Sequence, residues 1–125
     1  MKKIFIIYGF TFVFTGCMFL QPDYLTVISS SELSKIMNNE DIFLVDVHTP
    51  KQRHIKGTDA FIPYNEVEQF KDKLPENKNT PIYIYCESGP MGNAAARSFY
   101  ALGYKNLFNL EGGEKAWRNA GFPLE

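Results

Sequence analysis

The sequence predicts an α/β domain whose central, mainly parallel sheet carries helices on both faces. Three observations predict it. From Leu25 onward, candidate strands alternate with candidate helices, the order that crossover-built sheets require. The run "IFLVDV", Ile42–Val47, is apolar at every position but one, as a strand buried on both faces must be. The chain of 125 residues has room for one such domain and not for two.

The opening residues stand apart from that domain. "MKK" is a short positive region, "IFIIYGFTFVF" is an apolar run, and "TGC" brings small residues up to Cys17. This is the anatomy of an export signal. The placement of Cys17 resembles a bacterial lipoprotein signal, in which cleavage leaves the cysteine as a lipid-bearing N-terminus; Phe14 departs from the aliphatic residue usual there. An uncleaved anchor over Ile4–Leu20, at the short limit for a bilayer span, and simple secretion are the alternatives. The expected organisation is a signal or anchor over 1–16, a tether over 17–24 and the domain over 25–125. A bacterial cell-envelope or periplasmic, membrane-anchored location follows from it.

Each later element has its own signal. "LTVIS" reads as a strand. "SSELSKIMNN" reads as a helix, with Ser29 and Glu32 at capping-box spacing and an end near Asn38 or Asn39. After the Ile42–Val47 strand, the polar loop "HTPKQRHIKGTD" leads to the short run "AFIPY". Asn65 is placed to cap a helix bearing Val67, Phe70 and Leu74, which Pro75 stops. "PIYIY" is the next strand and "PMGNAAARSFYAL" a helix with Gly103 as its stop. "NLFNL" is a strand, "EGGE" a tight turn and "KAWRNAG" a last short helix. Trp117, Phe99, Phe108 and Phe122 are read as core.

Composition excludes some functions. Formal charge is -1, and without Lys2 and Lys3 the chain keeps 11 basic against 14 acidic side chains with no basic stripe. That argues against a nucleic-acid partner. Two scattered histidines and no cysteines at ligand spacing argue against a metal site.

One cysteine draws the argument together. Cys86 follows "PIYIY" directly and precedes a helix, in the loop "CESGPMG". In open α/β sheets, ligands bind outside the carboxyl ends of the strands, where such loops lie. Gly89 and Pro90 suit the start of the helix, Pro because its missing N–H would be unpaired there. The amides of Glu87, Ser88, Gly89, Met91, Gly92 and Asn93 are then candidates for a cradle around the sulfur. Such donors and the positive helix end favour thiolate, while Glu87 works against it. A lone cysteine is by default a small buried hydrophobe. The Ser and Gly neighbours, the strand end and the helix start favour chemistry instead.

The stretch "YCESGPMGNAAARSFYALGYKNLFNLEGGEKAW" resembles the C-terminal half of a rhodanese-like sulfurtransferase domain, and "LVDVHTPKQRHIKGTDAFIPYNEV" resembles its N-terminal half. Asp46, His54, Ile55, Gly57, Ile62 and Pro63 fall in matching places. The resemblance implies catalysis by Cys86 as a persulfide, with no metal or organic cofactor. It implies a small sulfane-sulfur donor and a thiol or protein acceptor as partners. Glu87, Ser88, Gly89, Pro90, Met91 and Gly92, with Asp46, His48 and Arg53, would surround the substrate. Asp46 is also read as the residue that ties down the following loop, and His54 as a packed loop histidine. The loop departs from the family in lacking a cation: Met91 and Glu87 stand where basic residues are common, and His48 stands in place of an Arg. Thiosulfate should therefore bind less well than a persulfide donor, with Lys51, Arg53 and Lys56 as possible compensation.

Three alternatives are weighed against this one. A cysteine phosphatase needs an Arg to clamp phosphate, and Gly92 occupies that place. A thioredoxin-like oxidoreductase needs a second cysteine where Gly89 stands. A non-catalytic rhodanese-like binding or persulfide-carrier module at the membrane remains open.

Overall fold

Four apolar tetrads form the body of the sheet: β1 Leu25–Ile28, β2 Phe43–Asp46, β4 Ile82–Tyr85 and β5 Leu107–Leu110. A two-residue strand, β3 Ala60–Phe61, completes it. The structure, a computed structural model, describes residues 22–125. The export segment with Cys17 and the first part of the tether lie outside the described residues. Among the described residues no helix is long and apolar enough to cross a membrane.

The strand order is β1-β5-β4-β2-β3, and every pairing is parallel. β4 is buried at all four positions because it lies between β5 and β2 and has both faces covered. Side chains alternate across the sheet, so its two faces feed separate cores. On one face Val45, Ile82 and Ile84 meet Ala95, Ala96 and Phe99 of the helix α2, Pro90–Ala101. On the other, Leu44, Tyr83 and Tyr85 meet Leu33 of α1, Ser30–Asn39, and Trp117 of α3, Gly113–Asn119. Each fully buried side chain of this size stabilises the fold by about 1.5–3 kcal/mol. Trp117 and Phe99 are buried; Phe108 and Phe122 are half-buried and pack against the second core.

Capping explains where α1 begins. The Ser29 Oγ accepts from the Glu32 N–H at 3.1 Å, satisfying one donor of the first turn. α2 starts with Gly89 as cap and Pro90 at its first position, and Gly103 follows its end at φ 104°.

The segment after Asn65 differs from the expected α-helix. It is a 3-10 helix, Glu68–Lys73, broken at Phe70, and Val67 rather than Asn65 precedes it. The Glu66 N–H already bonds the Pro63 carbonyl and the Gln69 N–H that of Glu66, so three-residue spacing is established before an α-turn can close. Val67 and Leu74 still reach the core. α3 also begins earlier than expected, within the "EGGE" turn, for a reason that belongs to the site.

Candidate active site

Cys86 lies one residue past β4 and faces the α2 side of the sheet. There it joins the cluster of Val47, Ile62, Ala95 and Ala96, with Met91 packed against it. The residue is 1 % exposed. Its Sγ accepts from the Gly89 N–H at 2.8 Å, which closes the loop Cys86–Gly89 on itself. This amide gives the sulfur one main-chain hydrogen-bond donor.

The expected ring of amides is corrected to this single donor among the described residues. Gly92 is unavailable because its N–H bonds the Gly89 carbonyl at 3.1 Å in the first turn of α2, and Pro90 has no N–H. The sulfur is enclosed rather than displayed. Glu87, Ser88 and Pro90 form the exposed outer side of the loop, and Gly89 and Met91 are half-buried.

α3 braces the loop from below. The Glu114 N–H bonds the Cys86 carbonyl at 2.7 Å and the Lys115 N–H bonds the Glu87 carbonyl at 3.0 Å. Gly113 makes this approach possible. A Cβ there would fall 2.4 Å from the Cys86 oxygen and 2.6 Å from the Glu87 carbonyl carbon, both backbone atoms, and its φ of 61° is itself one that glycine favours. The helix therefore starts at Gly113 because the Cys86–Glu87 backbone needs its first amides.

β5 supplies a residue that sequence reasoning missed. Asn109, 3 % exposed, donates from Nδ2 to the Gly89 carbonyl at 3.3 Å and to Asn93 Oδ1 at 3.0 Å. A Cβ on Gly92 would fall 2.2 Å from Asn109 Oδ1, so the helix and the amide interlock. The available signal was one polar residue in the otherwise apolar run "LFNL".

The loop after β2 is organised by Asp46. This carboxylate is fully buried. It accepts from the His48 N–H at 2.9 Å, from Gln52 Nε2 at 3.2 and 3.3 Å, and pairs with His54 Nδ1 at 2.8 Å. Asp46 is thus the anchor of the loop, and its burial takes it off the substrate surface. His54 packs beside Phe61 with its ring tied to Asp46.

His48 bridges outward to the cysteine loop. Its Nδ1 lies 2.7 Å from the Pro50 carbonyl and its Nε2 lies 3.1 Å from Glu87 Oε2. Both partners are acceptors, so both contacts are hydrogen bonds only when the ring carries both protons. Arg53 and Lys51 stand with His48 and Glu87 around a cleft of about 270 Å³, to which Glu114 and Arg118 of α3 also contribute. Cys86 is not part of its wall. Lys56 is not either.

Beneath the site, the Tyr85 hydroxyl accepts from the Ile55 N–H at 3.0 Å and meets Thr58 Oγ1 at 2.7 Å. Burial, then the Asp46 carboxylate, pushes the phenol well above its ordinary value of 10.0. Among the described residues Cys86 has no disulfide partner, and no His, Cys, Asp or Glu cluster is placed to hold a metal ion.

Known proteins resemble this arrangement along most of the chain. The profile of the Rhodanese-like domain family matches residues 29–120. A sulfurtransferase from Allochromatium vinosum is 32% identical over 101 residues, 78% of this chain and 92% of that protein. The uncharacterized protein slr1261 of Synechocystis is 29% identical over 100 residues, 77% of this chain but only 54% of the relative, so this chain spans about half its length. Among solved structures, a rhodanese-like domain protein from Staphylococcus aureus superposes with a TM-score of 0.68 at 27% identity, covering 80% of this chain and 96% of the other.

Proposed function

The chain belongs to the rhodanese-like domain family, and we propose that it is a sulfurtransferase that carries sulfane sulfur as a persulfide on Cys86. The observation that carries this reading is the Gly89 N–H held 2.8 Å from Sγ in a loop braced by β5 and α3. With thiosulfate as donor, the Cys86 thiolate attacks the outer sulfur, the sulfur–sulfur bond breaks, and sulfite leaves with its electron pair. A persulfide donor releases a thiolate in the same way. The outer sulfur on Cys86 then takes a proton, and an acceptor nucleophile removes that sulfur in a second displacement, returning the Cys86 thiolate. This is two-step covalent catalysis. Glu87 disfavours a dianionic donor beside the sulfur, so a persulfide donor is preferred.

We place the protein at the membrane of the cell envelope, through lipid on Cys17 or through an uncleaved N-terminal anchor. The "TGC" motif and the apolar run before it support this placement. Cys17→Ala should release it from membranes or stall its processing. Retained attachment would point to the anchor.

The deciding experiment offers thiosulfate and low-molecular-weight persulfides to the protein and reads Cys86 by peptide mass spectrometry. One added sulfur on Cys86, absent from Cys86→Ala, is expected. A second reading, a non-catalytic binding module, is favoured by the 1 % exposure of Cys86. It prevails if no donor loads the thiol and the Cys86→Ala protein keeps its full biological activity.

A further inference from the structure

The chain enters the domain at one end of the sheet and the sulfur sits at the other. All strands are parallel, so their amino ends lie together, and Cys86, just past β4, lies at the carboxyl ends. Before β1 the Leu25 N–H bonds the Pro22 carbonyl at 3.0 Å, which fixes the entering chain at the amino end of this edge strand. Four residues of strand, at about 3.3 Å each, hold the two ends roughly 13 Å apart before the loops beyond them are counted.

An aromatic pair stands at the entry point. The Tyr24 ring stacks on that of Tyr100, with centroids 4.0 Å and planes 11° apart. Tyr100, in the last turn of α2, is 44 % exposed, the most of any large apolar side chain among the described residues. The Tyr24 carbonyl accepts from the Leu107 N–H at 3.1 Å, so the turn that carries this ring is pinned to the first residue of β5. Lys78 lies at the same end, against Gly103 and over the Tyr104 ring at 4.3 Å from its centre. Lys78 and Lys105 are exposed there, and so are Asp23 and Glu76, so net charge selects no anionic partner. An exposed tyrosine pair flanked by lysines has the chemistry of the bilayer interface, where amphipathic rings lie at headgroup level and lysine stems reach toward water.

Chain length decides what covers the pair. At no more than about 3.6 Å per residue, the chain from Cys17 to Pro22 spans at most about 18 Å, and from Leu20 less than half of that. A domain of this size is about 30 Å across, so so short a tether cannot carry its own attachment point to the side away from the bilayer. We infer that the domain stands on the bilayer by the amino end of its sheet, with Tyr24 and Tyr100 in the phospholipid headgroup layer and the Cys86 loop turned to the water. Sulfur donors and acceptors then reach Cys86 from the aqueous side rather than from within the lipid. This orientation rests on the membrane placement proposed above and adds to it the face that meets the lipid.

The test uses the full chain, purified with its own membrane attachment and reconstituted in vesicles of phosphatidylethanolamine and phosphatidylglycerol. Two variants each add one indole: Tyr100→Trp at the aromatic pair and Ser88→Trp on the exposed side of the cysteine loop. Trp117, the single tryptophan of the chain, is buried and gives both the same background. Lipids brominated near the headgroup end of their acyl chains then replace the plain ones, and fluorescence is read. Emission from Tyr100→Trp should fall, and emission from Ser88→Trp should not. Lys105→Trp, exposed at the amino end and outside the stack, repeats the reading should Tyr100→Trp fail to fold, and its emission should fall too. Quenching at both ends alike, at Ser88→Trp alone or at neither end overturns the inference. So does emission from Tyr100→Trp that bromine leaves untouched but that shifts with protein density, the sign that a second copy covers the pair. If the full chain does not float with vesicles, the membrane placement fails and takes this inference with it; flotation with the wrong quenching pattern overturns the inference alone.

Discussion

His48 Nε2 lies 3.1 Å from Glu87 Oε2, joining the loop after β2 to the residue that follows Cys86. The contact ties the cysteine loop's own carboxylate to the His48 ring, and the loop carries no cation of its own. An incoming anion must compete with Glu87 for that ring.

Replacing Glu87 therefore alters donor choice. Glu87→Gln removes the competing charge and frees His48, and thiosulfate loading of Cys86 should rise by up to about fivefold, the scale of an exposed ion pair. The check is kcat/KM for thiosulfate beside that for an uncharged persulfide, which should rise less. A fall for both would mean that Glu87 assists the chemistry.

Asn109→Leu should slow persulfide formation while the protein remains folded. The substitution removes the Nδ2 hydrogen bonds to Gly89 and Asn93 that fix the residue donating to Sγ. A loss of roughly 0.5–1.5 kcal/mol in stability is expected for the bonds themselves. Single-turnover loading rates beside thermal unfolding separate this from general damage. Asn93→Asp, which keeps an acceptor for Nδ2, should load faster than Asn93→Leu.

Gly113→Ala tests the brace under the loop. Its Cβ would meet the Cys86 and Glu87 backbone at 2.4–2.6 Å, and neither can rotate away as a side chain would. Destabilisation of about 1–3 kcal/mol, from overpacking and an unfavourable φ together, is expected in denaturant unfolding, together with impaired loading.

Tyr85 makes a pH prediction. Its phenol is raised above 10.0, first by burial and then by Asp46, so the folded state holds the proton where the unfolded chain has lost it. That contribution to stability is fully present below pH 10 and is lost progressively as pH climbs from there toward the folded value. Tyr85→Phe should flatten this alkaline decline in unfolding titrations, leaving the smaller part due to Tyr83, whose phenol is also raised. At neutral pH the same variant should lose about 1–3 kcal/mol, because the Ile55 N–H and Thr58 hydroxyl lose their buried partner.

Much of the fold was legible because its signals are local. Apolar tetrads, the Ser29–Glu32 cap and the Gly89–Pro90 helix start act within a few residues, and each appears where its chemistry requires. The segment after Asn65 was misread because apolar residues spaced at 67, 70 and 74 suit a 3-10 turn as well as an α-helix. Hydrogen bonds from Pro63 onward settled it.

The sequence by itself determined an alternating parallel α/β domain of the rhodanese-like family and set Cys86 in the loop between a buried strand and a helix. Only the tertiary structure decided what surrounds that sulfur: one Gly89 amide, Asn109 beneath it, the Glu114 N–H on its carbonyl, and Glu87 turned to His48. Asn109, Glu114 and His48 lie on β5, on α3 and in the loop after β2, and parallel pairing brings such distant residues together at the carboxyl end of the sheet. Periodicity records which face a side chain takes, but which backbone group it meets there depends on the packing of the whole chain.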